Sequence, residues 1–161
     1  MQEKFDAFIS ENNLFCKTDR ILIAISGGLD SVVLATLMKN SKYDVTLAHC
    51  NFHLREEESN RDEEFVRNWA KENNIKLFVK EFDTYQYMKD NKLSLEMAAR
   101  DLRYEWFEQM ADEHDCDLIA VAHNADDVVE TFFLNLTRGS GLQGLSGMAE
   151  LRGRVVRPLL K

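Results

Sequence analysis

The sequence predicts an α/β fold, an open parallel β-sheet flanked by helices, and three observations carry that prediction. Short apolar runs rich in Ile and Val alternate with longer segments of helical period. The first of those runs ends on the adjacent glycines Gly27 and Gly28, and later ones end on His and Asn. The chain has 161 residues, 45% of them hydrophobic, which suffices for the core of one domain.

The elements follow in order. Residues 20–26 (RILIAIS) form the first strand, and a helix follows from Asp30 to Met38. Residues 45–51 (VTLAHCN) form the second strand, and residues 58–73 a charged amphipathic helix. Residues 75–80 (IKLFVK) make the third strand. Between 94 and 114, apolar residues recur at Leu95, Ala98, Ala99, Leu102, Trp106, Phe107 and Met110, the stripe of a core-facing helix. Residues 118–122 (LIAVA) give a fourth strand, residues 125–137 a further helix burying Val128, Val129, Phe132, Phe133 and Leu136, and Val155-Val156 opens a fifth strand. A single proline, Pro158, and the lack of repeats or low-complexity tracts leave no internal boundary.

Composition narrows the function. With 20 basic against 28 acidic side chains, the net charge of −8 argues against a broad nonspecific nucleic-acid binder. Cys16, Cys50 and Cys116 are far apart, without the C-x-x-C spacing of a zinc site or a disulfide framework. No basic leader precedes an apolar run, and no apolar stretch approaches the roughly 20 residues a membrane helix needs. The expectation is a soluble, cytoplasmic protein without membrane contact.

In a parallel sheet, ligands sit beyond the carboxyl ends of the strands. Three polar segments fall there: Ser26-Gly27-Gly28-Leu29-Asp30-Ser31, His49-Cys50-Asn51, and His123 to Asp127. They are expected to converge on one pocket. In the first, paired glycines let backbone N–H groups approach an anion, and a helix N-terminus adds its positive end. Gly, Ser and Asp are also common in plain turns. The segment is not a Walker A sequence, and the literal G-x-G-x-x-G at Gly139 to Gly144 follows a helix rather than a strand, so it is read as a loop.

Two more groups of residues carry chemistry. Glu96, Arg100 and Arg103 lie near one helix face. Taken alone they read as a solvated ion-pair stripe, and beside a phosphate loop they read as phosphate ligands. His123 and Asp127, with Glu130 and Thr131 one turn on, read as a metal and proton-transfer site facing Asp30. Arg138 and the glycines to Gly147 suggest a gate or an ordinary surface loop.

The S-G-G-x-D-S segment after the first strand resembles the PP-loop of the N-type ATP pyrophosphatases, which have the adenine nucleotide alpha hydrolase-like fold and cleave ATP between its α- and β-phosphates. The segments His49-Cys50-Asn51-Phe52-His53-Leu54-Arg55, Glu96 to Tyr104 and Ala120 to Met148 are similar to motifs of the tRNA(Ile)-lysidine synthetases, in the same order. The resemblance implies ATP and Mg²⁺ as cofactors, free L-lysine and isoleucine tRNA with a CAU anticodon as partners, and a two-step ligation. Cytosine O2 attacks the α-phosphate and releases pyrophosphate; the lysine amine then displaces AMP. It implies that Ser26, Gly27, Gly28, Asp30, Ser31, His49, Asn51 and Arg100 bind ATP. Asp30 and Asp127 would hold the metal, with Asp30, Arg103, His123 and Asp127 catalytic. Two departures stand out: the family's second histidine in A-H-H is Asn124, and that of N-H-x-L-R is Phe52, with His53 displaced by one. Neither Asn124 nor Phe52 can carry a proton near neutral pH. Residues 1–161 are expected to be one truncated N-terminal domain lacking tRNA-binding domains. Another PP-loop enzyme acting on tRNA, or a nucleotide-binding module without chemistry, is the alternative.

Overall fold

The computed structural model describes residues 1–54, 56–122, 151–152 and 154–159. Within them run α1 (Gln2–Glu11), β1 (Arg20–Ala24), α2 (Leu29–Asn40), β2 (Asp44–Asn51), α3 (Glu56–Glu72), β3 (Leu77–Glu81), α4 (Thr84–Asn91), α5 (Leu95–Glu113), β4 (Leu118–Ala120), β5 (Leu151–Arg152) and β6 (Val155–Val156). The strands form one sheet in the order β3-β2-β1-β4-β6-β5. All pairings are parallel except the terminal β5–β6 hairpin.

The predicted α/β architecture is therefore present. The structure adds α1, α4 and β5, which the sequence reading did not contain, and the predicted helix over 125–137 lies outside the described residues.

Side-chain alternation sorts the sheet into two faces. Ile21, Ile23, Ile25 and Leu47 pack with Phe5, Phe8, Leu34, Met38 and Val66 of α1, α2 and α3. Leu22, Ala48, Ile119 and Val121 pack with Trp106, Phe107 and Ala111 of α5. Being buried on both faces is why β1 reads as a continuous apolar run; Ile21, Leu22 and Ile23 are completely enclosed. Truncating one of them to Ala would cost about 2–5 kcal/mol.

This layering places the site. Sequential strands step outward from β1 to β2 to β3, and the chain then crosses back to β4 on the other side of β1. Right-handed crossovers put α2 and α3 on one face and α5 on the other. The order reverses between β1 and β4, which opens a crevice beyond their carboxyl ends. The loop after β1 begins at that crevice.

Candidate nucleotide site

The loop over 25–28 is wired internally. Ser26 N–H donates to Ser31 Oγ at 3.1 Å, and Ser31 Oγ donates to the Gly28 carbonyl at 3.0 Å. With its proton committed there, Ser31 Oγ accepts from Ser26 Oγ, 3.2 Å away. Gly28 N–H donates to Ser26 Oγ at 3.2 Å. Gly27 has φ of +93°, a conformation that side chains disfavour. A Cβ there would also meet Asp62 Cβ of α3 at 3.3 Å. Gly28 is the N-cap of α2 at φ −74°. The first turn of α2, whose N–H groups have no intrahelical acceptors, thereby opens toward the crevice.

A cavity of about 510 Å³ lies in front of this loop. Its walls are Ser26, Gly28, Leu29, Asp30 and Ser31 of the loop and helix start, Ala24 and Ile25, Val121 and Ala122 after β4, and Ala48, Cys50, Phe52, Arg103 and Phe107. The volume is in the range of nucleotide-sized pockets. The guanidinium of Arg103 lies 5.3 Å from the centre of the Phe52 ring, which stacks on Phe82 at 5.4 Å. Phe52, standing where the resembled family has histidine, thus supplies an aromatic wall and a seat for the arginine. Cys50 faces the same space; burial pushes its thiol up to about 12, against the opposing pull of Arg103 and Lys80.

His49 and Asn51 lie elsewhere. They alternate with Ala48 and Cys50 along β2, so they face α3 while those two face α5. His49 is 3% exposed, and its Nδ1 is 2.7 Å from the Ile25 carbonyl oxygen. Burial pushes its pKa down, outweighing that hydrogen bond and the charges of Glu63 and Asp62. Asn51 Nδ2 donates to Asn60 Oδ1 at 3.3 Å and Glu63 Oε1 at 3.2 Å, while its Oδ1 accepts from His53 N–H at 3.0 Å. Burial raises the pKa of Glu63, but hydrogen bonds from Asn51 and Arg67 outweigh it and hold the carboxyl below its ordinary range.

Of the residues expected to bind or act, Ser26, Gly28, Asp30, Ser31 and Arg103 thus surround one cavity. Gly27 turns its back on α3; His49 holds the Ile25 carbonyl from behind and Asn51 bonds to Asn60 and Glu63 of α3, so neither lines the cavity. Arg100 is not in the wall; it lies over Tyr104 at 5.3 Å. His123 and Asp127 lie outside the described residues. Cys50, Phe52 and Phe107 are wall residues outside the expected set. The signal was available: along a strand, Ala48, Cys50 and Phe52 share the face opposite Leu47, His49 and Asn51.

As to metal, among the described residues no three His, Cys, Asp or Glu side chains cluster as a binding site. Asp30 supplies one carboxylate to the cavity wall. That suits Mg²⁺, which is held by one or two carboxylates together with substrate phosphates rather than by a protein cage.

A loop of this form at the switch point of a parallel sheet defines a PP-loop nucleotide-binding domain. The family model described as the PP-loop domain matches residues 1–161, and the chain belongs to that family. It is 48% identical over 160 residues to the tRNA(Ile)-lysidine synthase of Bacteroides thetaiotaomicron, covering 99% of this chain and 38% of that protein. It is 47% identical over 154 residues to the tRNA(Ile)-lysidine synthase of Porphyromonas gingivalis W83, covering 94% of this chain and 34% of that protein. The chain therefore spans little more than a third of the length of these relatives. Among solved structures, the U34-tRNA thiolase NcsA from Methanococcus maripaludis matches with a TM-score of 0.72 at 17% identity, covering 98% of this chain and 57% of that one. The ammonia-dependent NAD synthetase of Campylobacter jejuni matches at 0.65 and 19%, covering 99% and 66%. At such identities these two likenesses establish the fold alone.

Proposed function

We propose that this chain is the ATP-binding and adenylating part of an enzyme that ligates lysine to the wobble cytidine of an isoleucine tRNA with a CAU anticodon. The observation that carries the reading is the joining of the 26–31 loop, Asp30 and Arg103 around one nucleotide-sized cavity, in a chain so similar to tRNA(Ile)-lysidine synthases.

In this reading the first-turn N–H groups of α2 and the loop hold the departing pyrophosphate, and Arg103 offsets charge growing between the α- and β-phosphates. The aromatic and apolar wall of Phe52, Cys50 and Phe107 gives the adenosine a dry surface. Asp30 would hold Mg²⁺, which when bound would supply further charge neutralisation. His123 and Asp127 are assigned by sequence to the second step, steadying the lysine and taking its proton.

The test is incubation with ATP, Mg²⁺, lysine and unmodified CAU-anticodon tRNA, with mass spectrometry of the digested tRNA. A lysine-bearing cytidine, lost in Asp127→Ala while ATP binding persists, is the expected result. Unchanged turnover in that variant would remove Asp127 from the assignment. Nucleotide turnover with a different modified base, such as a thiolated one, would move the chain to another tRNA-modifying branch of the family.

A further inference from the structure

We infer that His49 is a positioning residue that sets the phosphate loop from behind through a single peptide group, with the proton that its Nδ1 donates. The inference rests on reading the 26–31 loop as a phosphate cradle.

The Ile25 carbonyl can only accept, so the 2.7 Å contact requires the proton on His49 Nδ1. Burial favours the neutral ring, in which Nε2 is a bare acceptor, and Nε2 is buried with no hydrogen-bond partner among the described residues. Among the described residues that polar atom is unsatisfied, a cost that packing alone would avoid with an apolar residue.

What the arrangement secures is orientation. The Ile25 carbonyl and the Ser26 N–H belong to one planar peptide group. His49 holds its oxygen end, and Ser31 Oγ holds its N–H end at 3.1 Å. From Ser31 the chain of hydrogen bonds runs on to the Gly28 carbonyl, and Gly28 N–H returns to Ser26 Oγ. Linked bonds of this kind polarise and stiffen one another. The fixed plane leads directly into the +93° turn at Gly27, which is itself pressed against Asp62 of α3. His49 thus sets the loop's entry angle although it sits on the sheet face opposite α5 and outside the cavity wall.

Two substitutions separate this role from simple space filling. In His49→Asn the amide nitrogen falls where Nδ1 was and can donate to Ile25. In His49→Gln it falls nearer Nε2 and cannot. The probes are inorganic pyrophosphate, ATP and adenosine, titrated with Mg²⁺ against the chain. His49→Asn is expected to keep pyrophosphate and ATP affinity near wild type. His49→Gln is expected to weaken both by about tenfold, the loss of one well-placed hydrogen bond, with adenosine affinity unmoved. Equal behaviour of the two variants, or a parallel loss of adenosine binding, would overturn the inference. A wild-type chain that binds no pyrophosphate would overturn the phosphate-cradle reading and the inference with it.

A measurement on the unaltered protein keeps the question decidable if the variants fold poorly. Long-range ¹H–¹⁵N spectra report the histidine tautomer directly. A protonated Nδ1 and bare Nε2 on His49 support the role, and the opposite tautomer overturns it.

Discussion

Arg103 holds its guanidinium 5.3 Å from the centre of the Phe52 ring, at the wall of the cavity that the 26–31 loop faces. The two residues come from different elements, α5 and the segment just after β2, and each fixes the other. Arg103→Ala should weaken ATP binding by about ten- to a hundredfold, the worth of a charge-assisted hydrogen bond. Arg103→Lys should recover only part of it, since an ammonium has neither the planar stack nor the fork. Calorimetric titration of the two variants with ATP checks this, and wild-type affinity in Arg103→Ala would remove it from the site.

The two adjacent glycines should differ sharply. Gly27→Ala forces a side chain into a positive-φ turn and against Asp62, so it should destabilise the fold by about 1–3 kcal/mol. Gly28 has an ordinary φ, and among the described residues its added Cβ would meet only Ser26 Oγ at 3.4 Å. Gly28→Ala should therefore change stability by no more than about 0.5 kcal/mol. Urea unfolding of both variants is the check.

Acid should destabilise the side of the sheet that faces α3 in two stages. His49 is kept neutral by burial, with its pKa below the ordinary 6.5. Below 6.5 the unfolded chain takes up a proton that the folded chain refuses, so this contribution is complete above 6.5 and is lost as pH falls toward the folded value. Glu63 is held below its ordinary 4.5 by Asn51 and Arg67 despite burial, so its contribution is complete above 4.5 and is lost at lower pH. Thermal melting across this range should show a fall beginning near 6.5, absent in His49→Asn. A flat profile down to about pH 5 would contradict the burial of a neutral His49.

The cysteines should react very unequally. Cys16 is exposed, whereas burial holds the Cys50 thiol at about 12. Since the thiolate is the reactive form, iodoacetamide at about pH 8 should label Cys16 and leave Cys50 until the protein unfolds. Peptide mass spectrometry over time reads both, and labelling of Cys50 at the rate of Cys16 would show that the cavity wall is more open than described.

The parts of this fold that were readable are those in which residue type leaves little choice. The β-branched run around Ile21, Leu22 and Ile23, ended by a double glycine before a helix, points to a strand buried on both faces and to an anion loop. What stayed hidden has local causes. Helix α4 (TYQYMKDN) buries only Thr84 and is held by an Asp83 cap and a left-handed Lys92, so it shows no apolar stripe. Helix α1 buries only Phe5, Phe8 and Ile9, too short a stripe to stand out. The division of labour along β2 was visible as strand alternation but was overridden by motif grouping, which took His49, Cys50 and Asn51 as one set. Strand geometry splits them, Cys50 to the cavity and the other two to the α3 side, where His49 holds Ile25 and Asn51 bonds to α3.

The proposed cradle for the phosphates of ATP is the 26–31 loop at the mouth of this cavity. Its most direct test is equilibrium binding of ATP to the chain in Mg²⁺, with inorganic pyrophosphate as competitor. Saturable ATP binding that pyrophosphate displaces, and that Gly27→Ala abolishes or weakens, is the predicted result. Absence of ATP binding, or ATP binding that pyrophosphate leaves untouched, would contradict it.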